Sequence, residues 1–329
     1  MPALQSKVVL SLMRWKSRYL GRLVAIAAVF LVGRTDAAKM PWKDSYIPNA
    51  TVTTQDGRSL RFYDDVLKGK ISIISFIYTS CRDICPVVTA RLSQLEDRLG
   101  DTVGRDYFFV SISIDPGNDT PAKLMEYGKA FGVGPSWLFL TGKPEDIGLI
   151  RHRLGERSRA LTEHRNEVLL FNDATGEWEK TSAFGDINVL ASAVRAMDPA
   201  QRTGARPVER AKADGVLDDP QNLPGQALFV KTCGACHTIG RGSRVGPDLS
   251  DVTTRRPRDW LTSYIMEPDK ARARQDPVAL SLAAEYPAVR MPNLGLSELD
   301  ASDVIAYIDA ITYSARAEKG ARQPHQHHH

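Results

Sequence analysis

All four cysteines of this 329-residue chain fall into two short motifs, Cys81/Cys85 and Cys233/Cys236. None is left over for a structural disulfide. The chain must therefore be held by apolar cores, and its sulfurs are free for chemistry. The first pair lies in Tyr78-Thr-Ser-Cys81-Arg-Asp-Ile-Cys85-Pro86. Upstream, Ile71-Ser-Ile-Ile-Ser-Phe-Ile77 reads as a buried strand; downstream, Val88, Leu92 and Leu95 mark one face of a helix. A strand-to-helix junction offers free backbone N–H groups and a helix dipole, which favour a thiolate. Pro86 suits the first helical turn, where its missing N–H costs nothing. A disulfide across three intervening residues would constrain almost no chain entropy, so stapling is a poor explanation for this pair. Two thiols so placed can address one small object, either a soft metal ion or the other sulfur.

The second pair lies in Cys233-Gly-Ala-Cys236-His237, the attachment signature of c-type haem. Its thiols add to the haem vinyl groups, and the adjacent His237 becomes an iron ligand. A zinc site would need two further ligands, and no other Cys or His lies between residues 165 and 324.

With 43% hydrophobic and 25% charged residues, the chain has apolar content for two cores, and its length suggests about two domains. The formal charge is +4, and Lys7, Arg14, Lys16, Arg18 and Arg22 all lie near the amino terminus. No basic stripe with interleaved aromatics follows, which excludes nucleic acid as a partner. Residues 1–38 combine those charges with an apolar run, Leu23 to Gly33, and then small residues at Thr35 and Ala37. As a helix the run spans ~16 Å against a hydrocarbon core of ~30 Å. It fits a signal peptide, with a retained membrane anchor as the alternative; in both cases the body is exported to the periplasm, soluble or anchored. No Cys lies near the cut, so a lipoprotein is excluded.

The remaining pattern divides the chain. Residues 39–197 alternate strands and helices, opening with a hairpin turned at Asp56-Gly57 and closing with a hairpin about Asp173-Ala-Thr-Gly176 and a helix from Ile187. Thr120 reads as the N-cap of a helix beginning at Pro121, and Asp115 and Asp119 as turn and cap residues rather than metal-adjacent acids. Residues 198–222, with Pro199, Pro207 and Pro220 and many charges, read as a linker between independently folded neighbours with some relative mobility. Residues 223–314 form a helical domain ending in an amphipathic helix with Ala301, Val304, Ile305 and Ile308 on one face. Residues 315–329 read as a disordered, His-rich tail, native or part of a tag.

The Cys81-x-x-x-Cys85-Pro86 motif, with Ser113-Ile-Asp115-Pro-Gly-Asn-Asp119-Thr-Pro121 and Glu163-His164, resembles the Sco/SenC copper chaperones. Those are thioredoxin-like proteins that assist assembly of the copper centre of cytochrome oxidase. The resemblance implies copper, Cu(I) or Cu(II), held by Cys81, Cys85 and His164. It also implies a partner in the copper-bearing oxidase subunit or another cuproprotein. His152 lies on a solvated helix face and is not a ligand. Thioredoxin-type exchange enzymes usually carry C-x-x-C and a cis-proline facing it. Here the spacing is one residue longer, and no proline lies between Pro144 and Pro199. That favours metal delivery over thiol–disulfide exchange, which stays open as a haem-coupled reductase, as does a copper or redox sensor.

Residues 223–314 resemble a class I mono-haem cytochrome c, through Cys233-x-x-Cys236-His237, Arg244-Val-Gly-Pro247 and Met291-Pro292 before the closing helix. The resemblance implies one covalent haem c with His237 and Met291 as axial ligands, Met266 being a core residue, and Gly246-Pro247 packing near His237. The whole reads as an α/β thioredoxin-like domain followed by a small all-α cytochrome c domain. The haem would exchange electrons with the copper or dithiol site and with an electron-donor protein.

Overall fold

The computed structural model describes residues 46–82, 84–163, 167–202, 223–287 and 289–321. The expected signal or anchor segment, His164, residues 203–222 of the linker and the histidines at the carboxyl end lie outside them. Among the described residues no helix is long and apolar enough to cross a membrane.

The first domain is built on a seven-stranded sheet in the order β2-β1-β5-β4-β3-β6-β7. Its strands are β1 (Thr51–Thr54), β2 (Ser59–Arg61), β3 (Ile71–Ile77), β4 (Tyr107–Ser113), β5 (Leu138–Gly142), β6 (Glu167–Asn172) and β7 (Glu177–Ser182). Interior strand β3 runs parallel to β4 and antiparallel to β6. The β3 sequence is apolar on both faces because both faces are covered. Ile73 packs on one side with Phe109, and Ile74 on the other with Val110. The first side is covered by helices α1 (Ile84–Leu99), α2 (Pro121–Ala130) and α4 (Ile187–Ala196), through Leu92, Leu124 and Leu190 among others. The second is covered by α3 (Pro144–Arg153) and by one π-helical turn, Phe62–Leu67. This is the expected thioredoxin-like order with its added hairpin. As expected, Thr120 caps α2, its hydroxyl accepting from the Lys123 N–H, and His152 on α3 is exposed.

Three expectations need correction. The linker does not begin at Asp198: Pro199–Arg202 is a helical turn, and Gln201 donates to the Tyr107 hydroxyl at 2.7 Å, which fastens this stretch to the sheet. Nor does the tail begin at Ala315, because the closing helix continues to Ala321. Ala315, Arg316, Ala317, Glu318 and Lys319 are strong helix formers that extend an existing helix without a new nucleation cost, and Arg316 pairs with Asp251 at 2.5 Å. Finally, the two domains are not simply neighbours on a tether. They share one apolar cluster, as described below.

The second domain is helical: α5 (Gln226–Lys231), α6 (Arg258–Met266), α7 (Pro277–Glu285) and α8 (Glu298–Ala321), with shorter turns between. α5 packs against α8 through Phe229, Val304 and Ile308. Gly225, at φ +79°, opens α5, and a Cβ there would lie 2.3 Å from the Asp303 carbonyl oxygen. Only glycine permits this approach of the two helices.

Candidate functional site: a buried dithiol beside a haem cavity

The loop carrying Cys81 leaves β3 and is held by a buried carboxylate. Asp119, 1% exposed, accepts the Thr79 N–H at 3.2 Å, the Thr79 hydroxyl at 2.5 Å and the Ser113 hydroxyl at 2.6 Å. Asp115 keeps the expected turn role, accepting from Asn118 at 3.0 Å. Asp119 does more than turn or cap: it fixes the path into the cysteine motif. The spacing of the two acids was visible in the sequence, but burial, which decides between these roles, was not.

Cys81 and Cys85 are 7% and 1% exposed. The Cys85 N–H donates to Cys81 Sγ at 3.4 Å, which is the helix-terminal donor the junction was expected to supply. A hydrogen bond to Cys81, then burial, then the charge on Cys81 push the Cys85 thiol far above the usual cysteine range. A helix terminus alone would lower it; here the neighbouring sulfur and burial outweigh the helix. Behind Cys85 the Thr89 hydroxyl donates to the Cys85 carbonyl at 2.9 Å and lies 3.0 Å from the Tyr127 hydroxyl. Burial, followed by the charge of Cys85, keeps that phenol protonated.

The second pair borders a cavity of about 400 Å³. Cys233, Cys236, His237 and Met291 all line it, and apolar side chains such as Leu249, Leu261 and Ile305 form most of its wall. Met266 does not line it. His237 Nδ1 lies 2.9 Å from the Pro247 carbonyl oxygen, the only partner for which is an N–H. This sets the tautomer and leaves Nε2 free to ligate a metal. Burial lowers the His237 pKa, which favours the neutral ring a metal requires. At Gly246 a Cβ would lie 2.7 Å from His237 Cε1, so glycine lets the backbone press on the ring. Burial pushes the Cys236 thiol up to about 12 and raises Cys233 as well. Two thiols, a positioned imidazole and a thioether around one apolar cavity fit a covalently held haem.

Residues 43–193 match the SCO1/SenC family model, and residues 223–312 match the cytochrome c model. The chain joins a SCO1/SenC domain to a cytochrome c domain. The SCO1 protein homolog of Bacillus subtilis (strain 168) is 34% identical over 93 residues, 28% of this chain and 47% of that protein. A putative copper-binding protein of Stutzerimonas stutzeri is 29% identical over 113 residues, 34% of this chain and 53% of that one. The chain thus spans about half the length of these relatives. The solved SCO1/SenC family lipoprotein of Bacillus anthracis str. Ames is 25% identical, covering 46% of this chain and 94% of that one, with a TM-score of 0.41. A cytochrome c domain implies covalent haem c.

The two sites adjoin. The apolar cluster containing Cys81, Cys85 and α1 continues into Ala235 and Val245 of the cytochrome domain, with Cys236 and Val289 at its edge. Pro86, next to Cys85, is itself part of the haem cavity wall. Further along α1, Gln94 donates to the Gly234 carbonyl at 2.8 Å, and Asp97 pairs with Arg244 at 2.6 Å. Arg91, 3% exposed, donates to the Ala183 carbonyl at 3.1 Å, the Gly185 carbonyl at 2.5 Å and Gln94 Oε1 at 2.9 Å. It thereby orients the Gln94 amide toward the haem loop. Sequence reasoning missed Arg91 and Gln94, and read Arg244 only as part of the cytochrome c pattern. Their polar character signals only a solvated helix face unless the partner surface is known.

Proposed function

We propose that this protein is an exported copper-binding metallochaperone of the Sco type whose fused cytochrome c exchanges electrons with the copper or dithiol site. Cys81, Cys85 and His164 bind the copper, which is cargo. Thiolates suit Cu(I), and an imidazole completes a set that Cu(II) also tolerates. The client is the copper-bearing subunit of a cytochrome oxidase or another cuproprotein, and the transfer proceeds by ligand exchange between cysteines. Cys233 and Cys236 would attach the haem, and His237 and Met291 would hold its iron. A thioether together with an imidazole would give the haem a relatively high potential and one-electron chemistry, with a donor protein reloading it. The segment before residue 39 serves for export or anchoring. The observation supporting this reading is the adjacency of the two sites, with Pro86 between the dithiol and the haem cavity.

The placing of both thiols in one buried turn, with the Cys85 N–H donating to Cys81 Sγ at 3.4 Å, supports a second reading, in which the pair cycles to a disulfide and the protein reduces cysteines of its client. Copper binding by the reduced protein separates the two. It is measured by competition with a Cu(I) chelator and by the Cu(II)–thiolate charge-transfer band, for wild type and His164→Ala. One tightly held copper, with the Cu(II) form lost in the variant, is expected. Weak binding with ready disulfide cycling would replace the chaperone reading with the reductase.

A further inference from the structure

Helix α1 has two working faces. One packs on the sheet through Leu92 and Leu95. The other carries Pro86, Ala90, Gln94 and Asp97, at spacings of four, four and three, which places them in one stripe along the helix. Three of these four residues meet the cytochrome domain. Pro86 lines the haem cavity, Ala90 is fully buried, Gln94 binds the Gly234 carbonyl and Asp97 pairs with Arg244. Gly234 lies inside the haem-attachment loop itself, and Arg244 stands two residues before Gly246, which presses on His237. Both polar contacts on the cytochrome side thus fall on loops that carry or press on haem-holding residues. On the other side Pro86 follows Cys85 directly.

We propose that this stripe of α1 is a docking surface for the chain's own cytochrome domain, and that Pro86 is a wall shared by the haem pocket and the Cys81/Cys85 pair. The haem and the thiol pair are then energetically coupled. When an external disulfide oxidises the pair, taking up its two electrons and two protons as two released thiols, the new S–S bond moves Cys85, Cys85 carries Pro86, and Pro86 bears on the haem pocket. Coupling of this kind is reciprocal, so the haem oxidation state biases the dithiol–disulfide equilibrium by the same factor. The docked domain also covers the pair, consistent with exposures of 7% and 1% for Cys81 and Cys85. The inference rests on haem attachment as read above but not on copper.

The test uses the metal-free, haem-loaded full chain. The haem midpoint potential is measured by spectroscopic titration against mediators, with Cys81/Cys85 set as dithiol or as disulfide. A difference between the two states is expected in the wild type. In Gln94→Ala/Asp97→Arg, which leaves the cytochrome sequence untouched, the difference should collapse. Adding Arg244→Asp to Asp97→Arg re-forms the ion pair and should restore it. Alkylation of the reduced pair gives a second reading, roughly tenfold faster once one hydrogen bond and one ion pair are lost. The same potential in both thiol states of the wild type would overturn the coupling, and an unchanged alkylation rate in the variant would overturn the docking. Failure of copper binding would leave both results standing, and failure of haem attachment would be seen in the spectrum before any titration.

Discussion

At the scale of single residues, the cytochrome domain depends on one carboxylate that binds nothing foreign. Asp248 accepts the N–H groups of Gly240, Gly242 and Ser250 at 2.9, 2.6 and 2.7 Å and the Thr238 hydroxyl at 2.9 Å, gathering the loop that follows His237. Partial burial pushes its pKa up, but these bonds outweigh that and hold it well below the usual carboxylate range. A folded-state value below the unfolded one contributes stability above the unfolded pKa, near 4, and that contribution is lost as pH falls toward the folded value. Asp248→Asn should therefore melt well below the wild type at neutral pH, and the gap should shrink as pH falls below about 4. Thermal melts followed at the haem Soret band would show it. A gap that stayed constant with pH would mean that the Asp248 charge is not what orders the loop.

Among the elements, α1 is the piece on which most else depends, since it carries Cys85, covers the sheet and receives the cytochrome domain. Arg91 holds it in place by donating to two carbonyls of the 183–185 turn. Arg91→Met keeps the apolar stem but strands those acceptors, an expected loss of about 2–4 kcal/mol in urea denaturation. A loss below about 0.5 kcal/mol, the usual surface value, would mean that the turn finds other donors. The helix itself was legible in the sequence, as were β3 and the two hairpins. Ile71–Ile77 and the Val88, Leu92, Leu95 spacing are local patterns set by burial on a known period. The Phe62–Leu67 π turn was not legible, because its sequence FYDDVL carries no period. The docking stripe was not legible either. Gln94 and Asp97 are good surface residues wherever they occur, and only the position of Gly234 and Arg244, more than a hundred residues later, makes them contacts. Cys233, Cys236 and His237 stand out in the sequence because attachment chemistry prescribes residue types in order, and the structure brings them with Met291 to the border of one cavity. The role of Asp119 in shaping the Cys81 loop depends on burial, which a residue type alone does not announce.

For the whole molecule, the two domains differ in what holds them together. The sheet of the SCO1/SenC domain is covered on both faces, and each face carries a large apolar cluster. The cytochrome domain has a small cluster of its own, Phe229, Val304 and Ile308, while much of its remaining apolar surface faces the cavity. A domain of this size with so small a core is marginal unless something else supplies apolar contact. Whatever binds only the folded form stabilises it, and a covalently held haem filling the cavity does this without dissociating. The Cys233→Ser/Cys236→Ser variant should therefore lose much of the helical signal of residues 223–321 in circular dichroism and keep the sheet. Because Ala235 and Val245 belong to the cluster that covers Cys81 and Cys85, loosening the cytochrome domain should also speed alkylation of the first pair. Full retention of helix, with alkylation as slow as in the wild type, would mean that the cytochrome domain folds and docks without haem. The dependence of the dithiol's burial on haem attachment would then be wrong.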